Sequence, residues 1–395
     1  MSNTQDPVVI VSATRTPMGG MLGSLSDVRS PDLGATAIKA AVERAGIQAE
    51  DVDQVIMGCV LPGALGQAPA RQASLAAGLP LGAGCLTINK MCGSGMKAVM
   101  DAHDQILAGT SNVMVAGGME NMSQAPYMLP KARSGMRLGH GEVLDSMFFD
   151  GLEDAYEGGL MGAFAQATAD GYKVAREAMD DFAIESLSRA NRAIAEGWFE
   201  AEIAPVTIKS RKGEVQIAVD EQPGNAKPEK IPTLRPAFKK DGTVTAANSS
   251  SISDGGAALV LMRESEAKAR GLQPLARIAG HTTHAQKPAE FTIAPIGSMQ
   301  KLLDKVGWST DDVDLFEINE AFAVVTMLAT QELGLDPAKV NINGGACALG
   351  HPIGASGARI MVTLIHALKR LGKQRGVASL CIGGGEATAV AIEMI

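Results

Sequence analysis

Three short stretches of this chain set reactive side chains among glycines. Cys92 lies in Asn89-Lys90-Met91-Cys92-Gly93-Ser94-Gly95, His351 in Gly350-His351-Pro352-Ile353-Gly354-Ala355-Ser356-Gly357, and Cys381 just before Gly383-Gly384-Gly385. Cys92 opens a helical pattern, and a thiol at a helix start is a candidate nucleophile of lowered pKa. Two thiols and an imidazole in such settings suggest acyl chemistry. The flanking glycines let backbone N–H groups crowd a reacting oxyanion. Cys59, Cys85 and Cys347 read as structural thiols, although Cys347 is close enough to His351 in sequence to line a pocket. His281 and His284 form an HxxH, read as a surface or loop pair rather than a metal site; His103, His140 and His366 suggest no chemistry.

The elements that must position these residues occur twice. Asp51-Val52-Asp53 follows Ala45-Gly46-Ile47, and Asp312-Val313-Asp314 follows Val306-Gly307-Trp308. The register pairs Gly46 with Gly307, Asp51 with Asp312 and Asp53 with Asp314. With small insertions it also pairs Gly95 with Gly357 and Gly117-Gly118 with Gly384-Gly385. The period is too long for a solenoid and predicts a duplicated domain. Cys92 then falls opposite the His351 loop, and Cys381 opposite Val115. Matching points of two half-folds converge on one site.

Each half alternates strand and helix patterns. Val8 to Val11 and Asp53 to Met57 read as buried strands, with a helix from Pro31 to Ala45 closed by Gly46. Met96, Val99, Met100, Ile106 and Leu107 stripe a helix ended by Gly109; Val113 to Ala116 is a short strand ended by Gly117-Gly118. In the second half Ala358, Met361, Leu364, Ile365 and Leu368 stripe a helix closed by Gly372, and Val377 to Ile382 is a strand. Such alternation implies α/β architecture, two α/β/α halves with mostly parallel sheets. The first half comprises residues 1–121 and 251–273, and the second residues 274–395. Residues 122–250 have no counterpart and read as an inserted loop domain for substrate covering or oligomer contacts. The insertion is richer in charge, as in Lys209-Ser210-Arg211-Lys212-Gly213-Glu214, and holds an amphipathic helix from Asp180 to Glu196. Ser253 to Leu261 returns the chain to the first sheet.

Composition narrows the function classes. The 395 residues are 46% hydrophobic but only 4% aromatic, so the cores are packed by Ala, Val, Ile, Leu and Met. The net charge of −8 argues against a broad phosphate-binding surface while leaving room for a local basic pocket. No apolar stretch approaches the roughly 20 residues of a membrane span. The opening Met-Ser-Asn-Thr-Gln-Asp lacks a basic-then-apolar signal pattern. Five widely spaced cysteines, an odd number, argue against a disulfide framework and for a reducing compartment, expected to be the cytoplasm.

Over essentially its whole length the chain resembles the thiolases, and within them the acetyl-CoA acetyltransferases. The resemblance rests on Arg15-Thr16-Pro17, Cys92-Gly93-Ser94-Gly95, Gly117-Gly118-Met119-Glu120, Asn319-Glu320-Ala321-Phe322, Asn343-Gly344-Gly345, the His351 motif and Cys381-Ile382-Gly383-Gly384-Gly385. It implies the duplicated thiolase fold with an inserted loop domain. It implies reversible condensation of two acetyl-CoA to acetoacetyl-CoA and CoA, by a ping-pong path through S-acetyl-Cys92. By resemblance His351 takes the thiol proton and Cys381 removes or returns a methyl proton. One oxyanion hole is formed by His351 and a water held by Asn319, and a second by the N–H groups of Cys92 and Gly383. Glu320 is given no role.

The resemblance also places Leu152, Met161, Phe238, Ala246, Ser250, Ala321 and Phe322 along the pantetheine and acyl end of CoA. Met161 and Phe291 border the acyl slot and favour short chains. Leu160-Met161-Gly162 stands where short-chain members often read His-Met-Gly, so a polar pantetheine contact is lost. The stretch from Gln222 to Lys230 lacks an evident match to the family arginine near the CoA nucleotide, with Lys227 or Lys230 as its substitutes. No metal or redox cofactor is implied, and a homotetramer built from dimers is. The alternatives are a degradative 3-ketoacyl-CoA thiolase for longer chains and a non-catalytic acyl-CoA-binding protein on the same fold.

Overall fold

The computed structural model describes residues 6–210 and 213–395. The first five residues of the opening segment, and Arg211 and Lys212 of the charged run, lie outside the described residues. The first apolar run is strand β1 (Val8–Arg15), buried along its whole length. Helix α1 (Ser30–Ala45) has Pro31 in its first turn and stops at Gly46, whose φ of 71° is the left-handed cap that glycine adopts freely. Then come β2 (Gln54–Gly58), α2 (Pro69–Ala76), β3 (Gly84–Ile88), α3 (Ser94–Leu107) and β4 (Val113–Asn121). Residues 122–252 hold α4 (Met161–Gly171) and α5 (Arg176–Ala195), after which β5 (Ser253–Arg263) re-enters the sheet between β1 and β4. The second half runs β6 (Ala276–Ala285), α6 (Ala294–Val306), β7 (Leu315–Ile318), α7 (Ala323–Glu332), the short α8 (Ala346–Leu349), α9 (Ser356–Leu371), β8 (Arg375–Ile382) and β9 (Glu386–Met394).

These strands lie in the order β7-β8-β9-β6-β1-β5-β4-β2-β3. Pairs β3–β2, β2–β4 and β7–β8 are parallel. Strand β5 is antiparallel to β4 and β1, and β9 to β8 and β6. Among the described residues, each half therefore has one reversed strand and otherwise runs one way, the mostly parallel arrangement expected. Antiparallel pairing of Val9 with Arg277 and Ile10 with Ala276 joins the two halves edge to edge.

Helices α3 and α9 occupy the middle. Met96, Val99 and Met100 share a core with Ile360, Met361 and Leu364, and both sheet halves add to it through Ile10, Met114, Leu380 and Val390. Helices α1 and α2 cover the outer face of the first half through Ile38, Ala41 and Ala73, and α6 and α7 that of the second through Met299, Leu302 and Ala329. At the crossing of α3 and α9 the backbones touch: a Cβ on Gly95 would lie 2.8 Å from the Ala358 nitrogen, and one on Gly357 2.4 Å from the Met96 nitrogen. Only glycine lets two helix starts approach so closely.

The repeat is visible bond by bond. Gly46 and Gly307 cap α1 and α6 at φ 71° and 70°. Asp51 accepts from the Gln48 N–H and Asp312 from the Ser309 N–H, both at 2.8 Å. Asp53 accepts from Asn112 and Val113, and Asp314 from Gln374 and Arg375, so Val113 is equivalent to Arg375. That equivalence corrects two expected pairings. Counting on, Cys381 matches Met119 rather than Val115, and Gly117-Gly118 matches Ser379-Leu380 rather than Gly384-Gly385. The two glycine pairs do different work. Gly117 and Gly118 do not end their strand but lie inside β4, where a Cβ on Gly117 would fall 2.0 Å from the Ala257 oxygen of β5. Gly384 and Gly385 make the turn from β8 to β9 at φ 93° and 86°.

Candidate active site

The three motifs meet at the ends of the central helices. Cys92 sits in the turn between β3 and α3, two residues before the first helical residue. The preceding Met91 has φ 47°, a left-handed conformation that is costly for a residue with a side chain. Its N–H is held by the Asn89 side chain at 2.9 Å, and the Ser94 hydroxyl bridges the turn by accepting from the Lys90 N–H and donating to the Met91 carbonyl.

Two backbone N–H groups, those of Cys92 and Gly383, point at the Cys92 sulfur. Burial nevertheless outweighs them and pushes the thiol up to about 11. The lowered pKa expected from the helix start is therefore overturned: desolvation of the thiolate exceeds what two N–H bonds and the helix dipole return. Cys92 rests as a thiol.

His351 is the imidazole of the second half's glycine-flanked motif. It follows α8 in a loop gripped from the returning strand, its N–H near the Ser251 carbonyl at 3.1 Å and the Ser253 hydroxyl at 3.2 Å. Its Nδ1 lies 2.6 Å from the Ser356 hydroxyl, which donates its own proton to the Pro352 carbonyl at 2.9 Å. The Ser356 oxygen is thus the acceptor, Nδ1 carries the hydrogen, and Nε2 keeps its lone pair, with Asn319 Nδ2 3.5 Å away. Burial, with the Arg359 charge adding to it, pushes His351 down to about 3, so the ring is neutral. The buried Glu120 carboxylate fastens the loop by accepting from Gly354, Val60 and Leu61. Its own pKa is pushed up to about 7 by burial.

Asn319 follows β7. Its Nδ2 lies 3.5 Å from both ring nitrogens of His351, and its buried Oδ1 has no hydrogen-bond partner. An orphan acceptor in a polar corner is a place for a water or a substrate group. Cys381 is the penultimate residue of β8, fully buried, and burial followed by the nearby Cys92 raises its pKa well above the usual thiol range. Glu320 binds Ser186, Asn341 and the Cys347 N–H, tying α5 to the loop that leads to His351.

A cavity of about 360 Å³ opens onto His351, lined among others by Leu152, Met161, Phe238, Ala246, Ser250 and Phe322. Cys92 and Leu152 pack against the cluster that holds Met122 and Ile353 of the cavity wall, and Cys381 belongs to the apolar cluster that includes Met161, Phe238 and Phe322. Two expected lining residues stand elsewhere. Phe291 lies one layer back, edge-on to Phe322 with ring centroids 6.4 Å apart, because the Phe322 ring takes the inner place. Ala321 contributes through its carbonyl, which accepts from the Ser250 N–H at 2.9 Å. A second cavity of about 370 Å³ shares Ala246 and Ser251 with the first and is lined by Gln222, Lys227, Lys230 and Cys347. The HxxH pair is split: His281 contacts His103 and Asp104, while His284 contacts Gln286. Sequence reasoning missed the roles of Ser356 and Glu120, although both sit in the quoted motifs. It had no signal for Ser251 and Ser253, which meet His351 only in the fold.

Residues 8–265 match the family model described as thiolase, N-terminal domain, and residues 272–394 that of thiolase, C-terminal domain. The acetyl-CoA acetyltransferase of Escherichia coli is 51% identical over 389 residues, with 98% of this chain and 99% of the relative covered. The mouse cytosolic acetyl-CoA acetyltransferase is 48% identical, with both chains fully covered. The crystal structure of Bacillus anthracis acetyl-CoA acetyltransferase superposes with a TM-score of 0.97 at 46% identity, again covering both chains completely. With both domain models matched in order and relatives this similar end to end, the chain belongs to the thiolase family.

Proposed function

We propose that this enzyme catalyses the reversible condensation of two acetyl-CoA molecules to acetoacetyl-CoA and CoA. Near-identical length and high similarity to acetyl-CoA acetyltransferases support this substrate assignment. The observation that carries the chemistry is that N–H groups from both halves, those of Cys92 and Gly383, favour the Cys92 thiolate, while the neutral His351 has its Nδ1 engaged by Ser356.

In the first half-reaction Cys92 sulfur attacks the thioester carbon as its proton passes to His351 Nε2. The Cys92 and Gly383 N–H groups stabilise the tetrahedral oxyanion. CoA leaves as a thiol, taking the proton of Cys381. Acetyl-Cys92, an imidazolium and a Cys381 thiolate remain. The two charges appear together, so the buried site gains no net charge, which offsets the burial that disfavours each alone.

In the second half-reaction the Cys381 thiolate removes a methyl proton from the second acetyl-CoA. The enolate oxygen is stabilised by His351 Nε2–H and a water held by Asn319. The carbanion attacks acetyl-Cys92, and departing Cys92 recovers its proton from His351. Leu152, Met161, Phe238, Ala246, Ser250 and Phe322 enclose pantetheine and acetyl, with Ala321 and Phe291 supporting them. The neighbouring cavity with Lys227 and Lys230 takes the phosphates. The substrates are CoA thioesters, and the reaction needs no metal or redox cofactor. A cytoplasmic homotetramer is part of the same proposal, its location supported by the cytosolic designation of the mouse relative and by five unpaired thiols.

Incubation with acetyl-CoA followed by peptide mass spectrometry tests the reading. The expected result is an acetyl group on Cys92 and release of acetoacetyl-CoA. Turnover without that adduct, or an adduct on another cysteine, overturns it.

A further inference from the structure

A second cluster lies far along α3 from the nucleophile turn. His103 and Asp104 stand in the last part of α3, and His281 faces them from β6. His103 Nδ1 is 3.0 Å from Asp104 Oδ1, His281 Nε2 is 2.9 Å from that oxygen, and the two ring nitrogens are 3.1 Å apart. Three ligand atoms thus form a nearly equilateral triangle. Adjacent helix positions point about 100° apart, so the helix itself does not impose this convergence.

We propose that His103 Nδ1, Asp104 Oδ1 and His281 Nε2 bind one divalent ion of the zinc class, clipping α3 to β6. Zinc sits about 2.0–2.1 Å from imidazole nitrogen and carboxylate oxygen, and tetrahedral ligands at that radius lie about 3.3 Å apart. The observed triangle needs to open by only a few tenths of an ångström. Without metal the three atoms are held together by ring N–H hydrogens directed at the carboxylate; on binding zinc each neutral ring shifts its hydrogen to its other nitrogen and offers the freed lone pair to the ion. The two rings are nearly enclosed, with side chains 12% and 11% exposed, whereas Asp104 is 56% exposed. The fourth position therefore faces solvent and takes a water. The ion is a fastener between the two halves: its ligands come from the nucleophile helix of the first and the opening strand of the second. The Lys305 ammonium, bound to the His281 carbonyl at 2.9 Å, places a positive charge nearby and holds the affinity below that of a dedicated zinc finger.

Calorimetric titration of zinc chloride into the intact enzyme tests this, with cobalt(II) absorption as the second readout. The expected result is one site per chain, weakened about 30-fold or more in His281→Gln and in His103→Gln. Cobalt should give the weak bands of nitrogen and oxygen ligation, without thiolate charge-transfer bands. Parental thiolysis rates in both variants report intact folding, since neither histidine belongs to the proposed machinery. Equal zinc affinity in parent and variants overturns the proposal, as does cobalt bound through thiolate or the absence of any saturable site.

Discussion

The two halves of this molecule share one plan and divide its use. The first half places Cys92 before α3, on a turn strained at Met91. The second places a rigid, multiply anchored histidine loop before α9, and adds Cys381 and Asn319 at its strand ends. The difference is instructive at matched positions. Where the second half has Cys381, the first has Met119; where the first has Cys92, the second has Gly354, counting from the paired Gly95 and Gly357. In the proposed mechanism neither half holds both the acyl acceptor and the proton carriers. Duplication supplied two helix starts facing each other, and divergence gave each a separate task.

The sharpest way to break that division is to remove each thiol in turn. Cys92→Ala should lower kcat by about 10⁴-fold or more and abolish the acetyl adduct, as loss of a covalent nucleophile does elsewhere. Cys381→Ser should lose about 10³-fold or more in condensation yet still form acetyl-Cys92, read by mass spectrometry. A folded Cys381→Ser protein that fails to acetylate would merge the two roles.

The resting charge state comes next. With Cys92 pushed up to about 11 and His351 down to about 3, thiol and imidazole are both neutral at pH 7. Thiolate grows as pH rises toward the Cys92 value, so alkylation of Cys92 by iodoacetamide, read by peptide mapping, should climb about tenfold per pH unit from 6 to 9. A plateau already reached by pH 7 would show a preformed thiolate–imidazolium pair.

A smaller effect separates holding His351 from using it. Ser356→Ala removes the acceptor that keeps hydrogen on Nδ1; kcat should fall about 10–100-fold with KM little changed. A rise in KM alone would assign Ser356 to substrate binding. The smallest effect concerns the cavity wall. Met161→Ala should improve kcat/KM for eight-carbon relative to four-carbon ketoacyl-CoA by about tenfold, since each refused methylene is worth roughly 10–200-fold and methionine already yields somewhat. Phe291→Ala, one layer back, should shift the ratio less. Equal use of both chain lengths by the parent enzyme would favour the longer-chain alternative.

Much of this was legible in the sequence because glycines mark it. The Gly-flanked motifs, the paired Asp53 and Asp314, and the caps Gly46 and Gly307 all impose local geometry that a linear reading can see. What escaped it depends on distance in the chain or on burial. The Cys92 pKa is set by surroundings, not by its helix alone. The grip on His351 comes from Ser251 and Ser253 on the far side of the insertion. Gly117-Gly118 and Gly384-Gly385 look alike as letters, but one pair makes room for a neighbouring strand and the other turns the chain. Helix α5 starts at Arg176, a turn before its amphipathic stripe becomes readable at Asp180.

The position of β5 carries a consequence for how the chain is made. In the second half the reversed strand β9 follows β8 after a tight turn; in the first, β5 arrives only after residues 122–252. As the protein emerges from a ribosome, β4 and β1 wait side by side for the strand that must lie between them. Both present open hydrogen-bonding edges during that wait, the kind of surface that captures other chains. The newborn first half is therefore a stage at which this protein is exposed to misassembly.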